Sequence, residues 1–200
     1  MNKFLKLPLF LASVGGICTA VLATTYELTN PIKVARENAI KEAAFKEVLA
    51  GFGLLDEEGK ILDGVDPVDY VIGSENPEFE LSSSLVSKGY TRRVLISQNA
   101  KLVGAFYEGS VTGYGGPINF QLSFKDGLCN SFVCLSNSET AGFGQDLLAS
   151  IPEMIQGKPV SYFKASALDT DFGSGCTVTE TYLVPAIAAA ASDYAVAAKL

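Results

Sequence analysis

Residues Leu7 to Tyr26 carry no charged side chain. Twenty residues of helix rise about 30 Å, the thickness of a bilayer's hydrocarbon core. Lys3 and Lys6 stand before this run. A cleaved leader also has a short basic start, and Val21-Leu22-Ala23 ends on the small residue that a processing site uses. The run is longer than an ordinary leader core, and Tyr26 sits where an interfacial aromatic would. Residues 1–29 are therefore expected to be a retained single-pass anchor in the cell (inner) membrane. Cys18 follows Gly-Gly-Ile, a poor lipoprotein signal. The leading lysines place the N-terminus in the cytoplasm and residues 30–200 outside, although Lys33 and Arg36 pull the other way.

The anchor accounts for most of the apolar excess in a chain that is 48% hydrophobic with a mean hydropathy of +0.26. About 170 residues remain, enough for one domain that buries roughly two thirds of its unfolded surface. The net charge of −7 and the lack of a basic stripe argue against a nucleic-acid partner. Histidine is absent, which excludes Ser-His-Asp or Cys-His nucleophiles and His-ligated zinc or haem. A redox role would need a cofactor that does without imidazole. Of the four cysteines, Cys129 and Cys134 form a C-x4-C pair too sparse for a metal site. They read as small buried hydrophobes, with a disulfide as the alternative in an oxidising compartment.

Asn30-Pro31 has the form of a helix start, a capping side chain before proline, and predicts a helix from Pro31 to about Ala50 ended by Gly51 and Gly53. Ile40, Ala44 and Val48 share one of its faces. Residues 54–89 are rich in turn formers and suggest short strands and loops. From Tyr90 the Val, Ile, Phe and Tyr content predicts three or four strands, and Lys125-Asp126-Gly127 is a hairpin signal. Helices are expected over 145–156 and in the Ala-rich C-terminal stretch. The fold class is α+β, a mainly antiparallel sheet flanked by helices behind the N-terminal helix.

Three glycine-marked segments are candidates for chemistry. Gly113-Tyr114-Gly115-Gly116-Pro117 permits close backbone approach to a ligand, or simply makes a tight turn. Glu139-Thr140-Ala141-Gly142-Phe143-Gly144 precedes a predicted helix, a weak signal for an anion at a helix start. Asp171-Phe172-Gly173-Ser174-Gly175-Cys176-Thr177 also precedes a helix and adds the hydroxyls of Ser174 and Thr177, a reasonable phosphate cradle. The Gly-Lys-Ser/Thr triplet of a Walker loop is missing.

In this order behind one membrane helix, the segments resemble the FMN-binding subunits of the Rnf and Na⁺-translocating NADH:quinone oxidoreductase complexes, and the resemblance is closest to the Rnf type. Gly113 to Ile118 match a GYGGPI-like turn. Glu139, Thr140, Gly142 and Gly144 match an ETPGLG-like segment. Asp171, Ser174, Gly175, Thr177 and Thr179 match a D-x-x-S-G-A-T-x-T-S signature read by a flavin transferase. Ala141, Phe143, Cys176 and Glu180 replace the usual proline, leucine, alanine and serine, and Pro185 falls where the family helix is under way, implying a later start or a kink.

The resemblance implies FMN covalently bound to Thr177 through a phosphoester, with Ser174, Gly175, Cys176, Asp171, Tyr114, Gly115, Glu139 and Thr140 around it. Tyr114 and Phe143 would be stacking partners. It implies an electron-transfer subunit with no catalytic residue and no metal of its own. Its partners would be the other membrane subunits of a redox-driven ion translocase, and a flavin transferase during maturation. The quinone-reducing relatives usually carry a longer soluble domain. A non-redox anchored binding or assembly protein is the reading from another class.

Overall fold

The computed structural model describes residues 3–163 and 176–200, with the side chains of the first helix described from Ala12 onward save Ser13, Val14, Ile17 and Glu37. Two compact units divide the chain, residues 1–43 and 44–200. The first consists of most of helix α1, Lys3–Gly51. Asn30-Pro31 does not begin a helix: α1 runs straight through it. Proline forfeits only one i→i−4 bond, and the Ala, Leu, Glu and Lys that follow Pro31 carry the helix past that loss. Thr19, Thr24, Thr25 and Thr29 turn their hydroxyls back onto the carbonyls of Gly15, Ala20, Val21 and Thr25, at 2.9, 2.9, 2.7 and 2.7 Å.

The second unit is α+β. Five antiparallel strands form an open meander in chain order: β1 Val65–Val71, β2 Tyr90–Gln98, β3 Lys101–Thr112, β4 Pro117–Lys125 and β5 Leu128–Ser136. The turn signal at 125–127 is realised, with Asp126 and Gly127 both left-handed, at φ 51° and 78°. Asn99 and Ala100 make the same kind of turn between β2 and β3, at φ 52° and 63°. No glycine marks that turn, so it is illegible in the sequence.

Side chains alternate across the sheet. Ala105 and Tyr107 face one core and Phe106 the other. The larger core sets Phe120, Leu122 and Phe124 against helices α2 Ser83–Val86, α3 Gly144–Ile155 and α4 Thr177–Ala198. The smaller joins Val94, Ile96 and Phe106 to Val48, Leu49, Phe52 and Leu54 at the end of α1. A bulge opposite Glu108 puts two residues of β2 against one of β3 and reverses the alternation. Tyr90 thereby faces the larger core while Val94 faces the smaller.

α4 is one helix from Thr177 through Pro185, so the later start is not realised. Among the described residues it is the one helix long and apolar enough to cross a membrane. In the second unit it is a packing helix, with Leu183, Ala186, Ile187, Ala190, Ala191 and Tyr194 buried. Its place on the sheet is fixed by polar contacts: the Tyr90 hydroxyl donates to the Ala186 carbonyl at 2.8 Å. Tyr107 donates to Asp193 at 2.7 Å, and Arg93 pairs with the same carboxylate at 3.0 Å. Burial first, and then Asp193, push both tyrosine hydroxyls well above their ordinary range. Thr177 lies sixteen residues back from Asp193, about 24 Å along the helix axis.

Candidate functional site

Gly113 to Gly116 form the hairpin loop between β3 and β4, closed by the Gly113 N–H donating to the Gly116 carbonyl at 2.8 Å. The segment is thus a tight turn, and its tip presents Tyr114 at 77% exposure. The close approach that its glycines permit is made by the protein itself. A Cβ on Gly115 would strike the Ser138 backbone, and one on Gly113 would fall within 3.0 Å of the Glu139 carboxylate.

Glu139 follows β5 and is buried, 5% exposed. Its N–H donates to the Asn137 side chain at 3.1 Å, which turns the chain inward. One carboxylate oxygen accepts from the Gly115 N–H at 3.0 Å; the other accepts from the Thr179 hydroxyl at 3.1 Å. Gly144, the first residue of α3, packs on the same side chain, and a Cβ there would fall within 3.0 Å of Glu139. The first two segments picked out in the sequence therefore meet at this carboxylate, and so does Thr179, two residues past the end of the third.

α3 begins where the sequence predicts, and its buried Leu147, Leu148, Ile151 and Ile155 dock it beside β5. The Thr140 carbonyl accepts from Phe143 and Gln145, each at 3.3 Å. Phe143 is left 54% exposed. Tyr114, Glu139, Thr140, Phe143 and Gly144 line a cleft of about 440 Å³.

At the start of α4, Thr177 is the first helical residue and is exposed. Cys176 precedes it, buried, and its side chain makes no capping bond. The Thr181 hydroxyl donates to the Thr177 carbonyl at 2.6 Å. Asp171, Ser174 and Gly175 lie outside the described residues. A helix start ordinarily lowers a neighbouring thiol's pKa. Here burial first, and then the carboxylates of Glu180, Glu139 and Asp146, push the Cys176 thiol up.

The sequence matched Thr179 to a signature but gave it no role; its bond to Glu139 shows what it holds. Nothing in the sequence marked Arg93, Tyr107 and Asp193, which meet only once α4 lies on the sheet. The disulfide alternative falls away. Cys129 and Cys134 are free and share strand β5, where five residues span about 16 Å, against the roughly 7 Å that a bridge allows. Burial pushes the Cys129 thiol up to about 12. Among the described residues no group of three or more Cys, Asp or Glu side chains is arranged to hold a metal.

No model of a known protein family matches the chain, and no curated protein matches it.

Proposed function

We propose that this protein is the FMN-carrying electron-transfer subunit of an Rnf-type, membrane-bound, ion-translocating ferredoxin:NAD⁺ oxidoreductase, with FMN joined to the Thr177 hydroxyl oxygen by a phosphoester. The observation that carries the reading is the meeting at Glu139 of Gly115, from the first segment, and Thr179, two residues past Thr177, beside an aromatic-walled cleft. The residues present suit the group. The cleft lies within the size range of cofactor pockets, and Tyr114 and Phe143 offer exposed ring faces for a flat heterocycle. Cys176 gives the first N–H groups of α4 no side-chain cap, and a helix start of this kind suits a phosphate, because the helix dipole favours negative charge there. Glu180 and Asp146 oppose that charge, and a phosphodiester, with a single negative charge, keeps the opposition small.

When bound, the flavin supplies reversible electron transfer; the chain holds and orients it and turns over no substrate alone. The Thr177 tether replaces diffusive binding with a local concentration on the order of millimolar or above. Residues 1–29 serve as the single-pass anchor, with the N-terminus cytoplasmic and the flavin domain on the periplasmic side. The hydroxyls of Thr19, Thr24, Thr25 and Thr29 that fold back onto α1 carbonyls support a membrane span, because a paired donor costs less in lipid than an unpaired one. Partners are the other membrane subunits of the complex and the flavin transferase that loads the domain.

The reading is tested by co-expression with a flavin transferase. A flavin-fluorescent band on a denaturing gel and a mass gain of one FMN less water are expected, and Thr177→Ala removes both. Fluorescence persisting in that variant, or lost in Ser174→Ala alone, would overturn the acceptor assignment. A C-terminal reporter that reads cytoplasm would overturn the topology.

A further inference from the structure

We infer that Glu139 is a positioning residue for flavin attachment: its carboxylate ties the first turn of α4 to the β3–β4 hairpin and so sets Thr177 in place for the transferase. The inference rests on the reading of Thr177 as acceptor and goes beyond it, because Glu139 acts through Thr179 and Gly115.

Both carboxylate oxygens are committed inside the protein, one to the Gly115 N–H and one to the Thr179 hydroxyl. Thr179 stands two residues after the acceptor and is 1% exposed. Its hydroxyl is thereby withdrawn from competition, while the Thr177 hydroxyl stays exposed. The middle of α4 is held by Tyr90 at Ala186 and its far half by Tyr107 and Arg93 at Asp193. Cys176 gives the near end no side-chain cap, and the Thr179 bond to Glu139 ties that turn to the hairpin. Glu139 is itself fixed. Its N–H is held by Asn137, and Gly113 and Gly144 leave space for it that a methyl group would fill. An attacking hydroxyl displaced by an ångström reacts far more slowly, whereas recognition of the surrounding surface changes little.

The test uses the full-length protein in detergent with a flavin transferase and FAD, comparing Glu139→Gln, Thr179→Val and Thr179→Ser with the wild type. An amide at 139 cannot accept from both donors, and valine keeps the shape of threonine without its hydroxyl. Glu139→Gln and Thr179→Val should lower kcat for FMN incorporation by about tenfold to a hundredfold with KM for the protein substrate changed less than about twofold. Thr179→Ser should restore the wild-type rate. On flavin-free protein, amide hydrogen exchange at Gly115 and in the first turn of α4 should quicken in Glu139→Gln and Thr179→Val but not in Thr179→Ser. Wild-type kcat in Glu139→Gln and Thr179→Val, or a Thr179→Ser rate as low as that of Thr179→Val, would overturn the inference. If Glu139→Gln does not fold, the Thr179 pair decides alone. If the wild type takes up no FMN, the acceptor reading fails by itself, and the exchange measurement still decides whether Glu139 orders this turn.

Discussion

The starts of α3 and α4 look alike in the sequence. Each follows a glycine-containing stretch, each has an N-cap residue whose side chain makes no capping bond, and each carries one acid in its first turn, Asp146 or Glu180. They differ in what occupies the turn. At α3 the Thr140 carbonyl takes the N–H groups of Phe143 and Gln145, and Gly144 lies flat against the Glu139 side chain. At α4 the first residue is an exposed threonine, and Thr179, two residues later, bonds inward to Glu139. Glycines before a helix are thus as much a device for packing a neighbour closely as for admitting a ligand. At α3 a protein group, the Glu139 side chain, already fills the space that the glycine leaves.

The strongest way to break this contrast is to remove a hydroxyl from each start. Thr177→Ala should abolish covalent flavin completely by intact mass, while Thr140→Ala should leave the mass gain intact. Next is the glycine pair at the start of α3, Gly142 before it and Gly144 as its first residue. Gly144→Ala forces a methyl group into a buried, hydrogen-bonded carboxylate and should cost about 3 kcal/mol in denaturant unfolding. Gly142→Ala meets open space but must hold φ near +84° and should cost about 1 kcal/mol. A larger loss at 142 than at 144 would reverse the assignment of the packing role.

A smaller effect reads the charge at α4. The Cys176 thiol is raised, so removing the Glu180 charge should lower it, increase the thiolate fraction and speed alkylation at pH 8 roughly two- to fivefold. Asp146→Asn, which removes the weaker contribution, should do less. The smallest effect is on the cleft walls. Tyr114→Ala and Phe143→Ala truncate exposed rings and should change stability by less than about 0.5 kcal/mol. Loss of stacking on the flavin should nevertheless raise its fluorescence.

Most of the element types were legible, because they rest on local patterns. β-rich composition from Tyr90 on, the Asp126-Gly127 turn and the apolar spacing of α3 each act within a few residues. Two features misled or hid. Asn30-Pro31 carries a start signal, but such a signal permits a helix to begin without forbidding one that is already running. Ala100 adopts a left-handed turn that alanine does not advertise. The candidate site was legible as three segments and their order, but not as a geometry. Glu139, which reads as a cofactor-binding residue, has both oxygens engaged with Gly115 and Thr179. C-x4-C reads as a short loop that a bridge could close, and it lies instead along one extended strand.

What the sequence determined by itself is the set of parts: a run long enough to cross a bilayer, an α+β domain, and a threonine behind a glycine-containing stretch at the head of a helix. These follow from residue type and near-neighbour spacing. Only the tertiary structure decided which groups those parts spend on one another. Gly115, Glu139 and Thr179 are separated by 24 and 40 residues and meet through a single buried carboxylate. A carboxylate in so buried a place must find its donors inside the protein, and that demand brings three distant segments to one point.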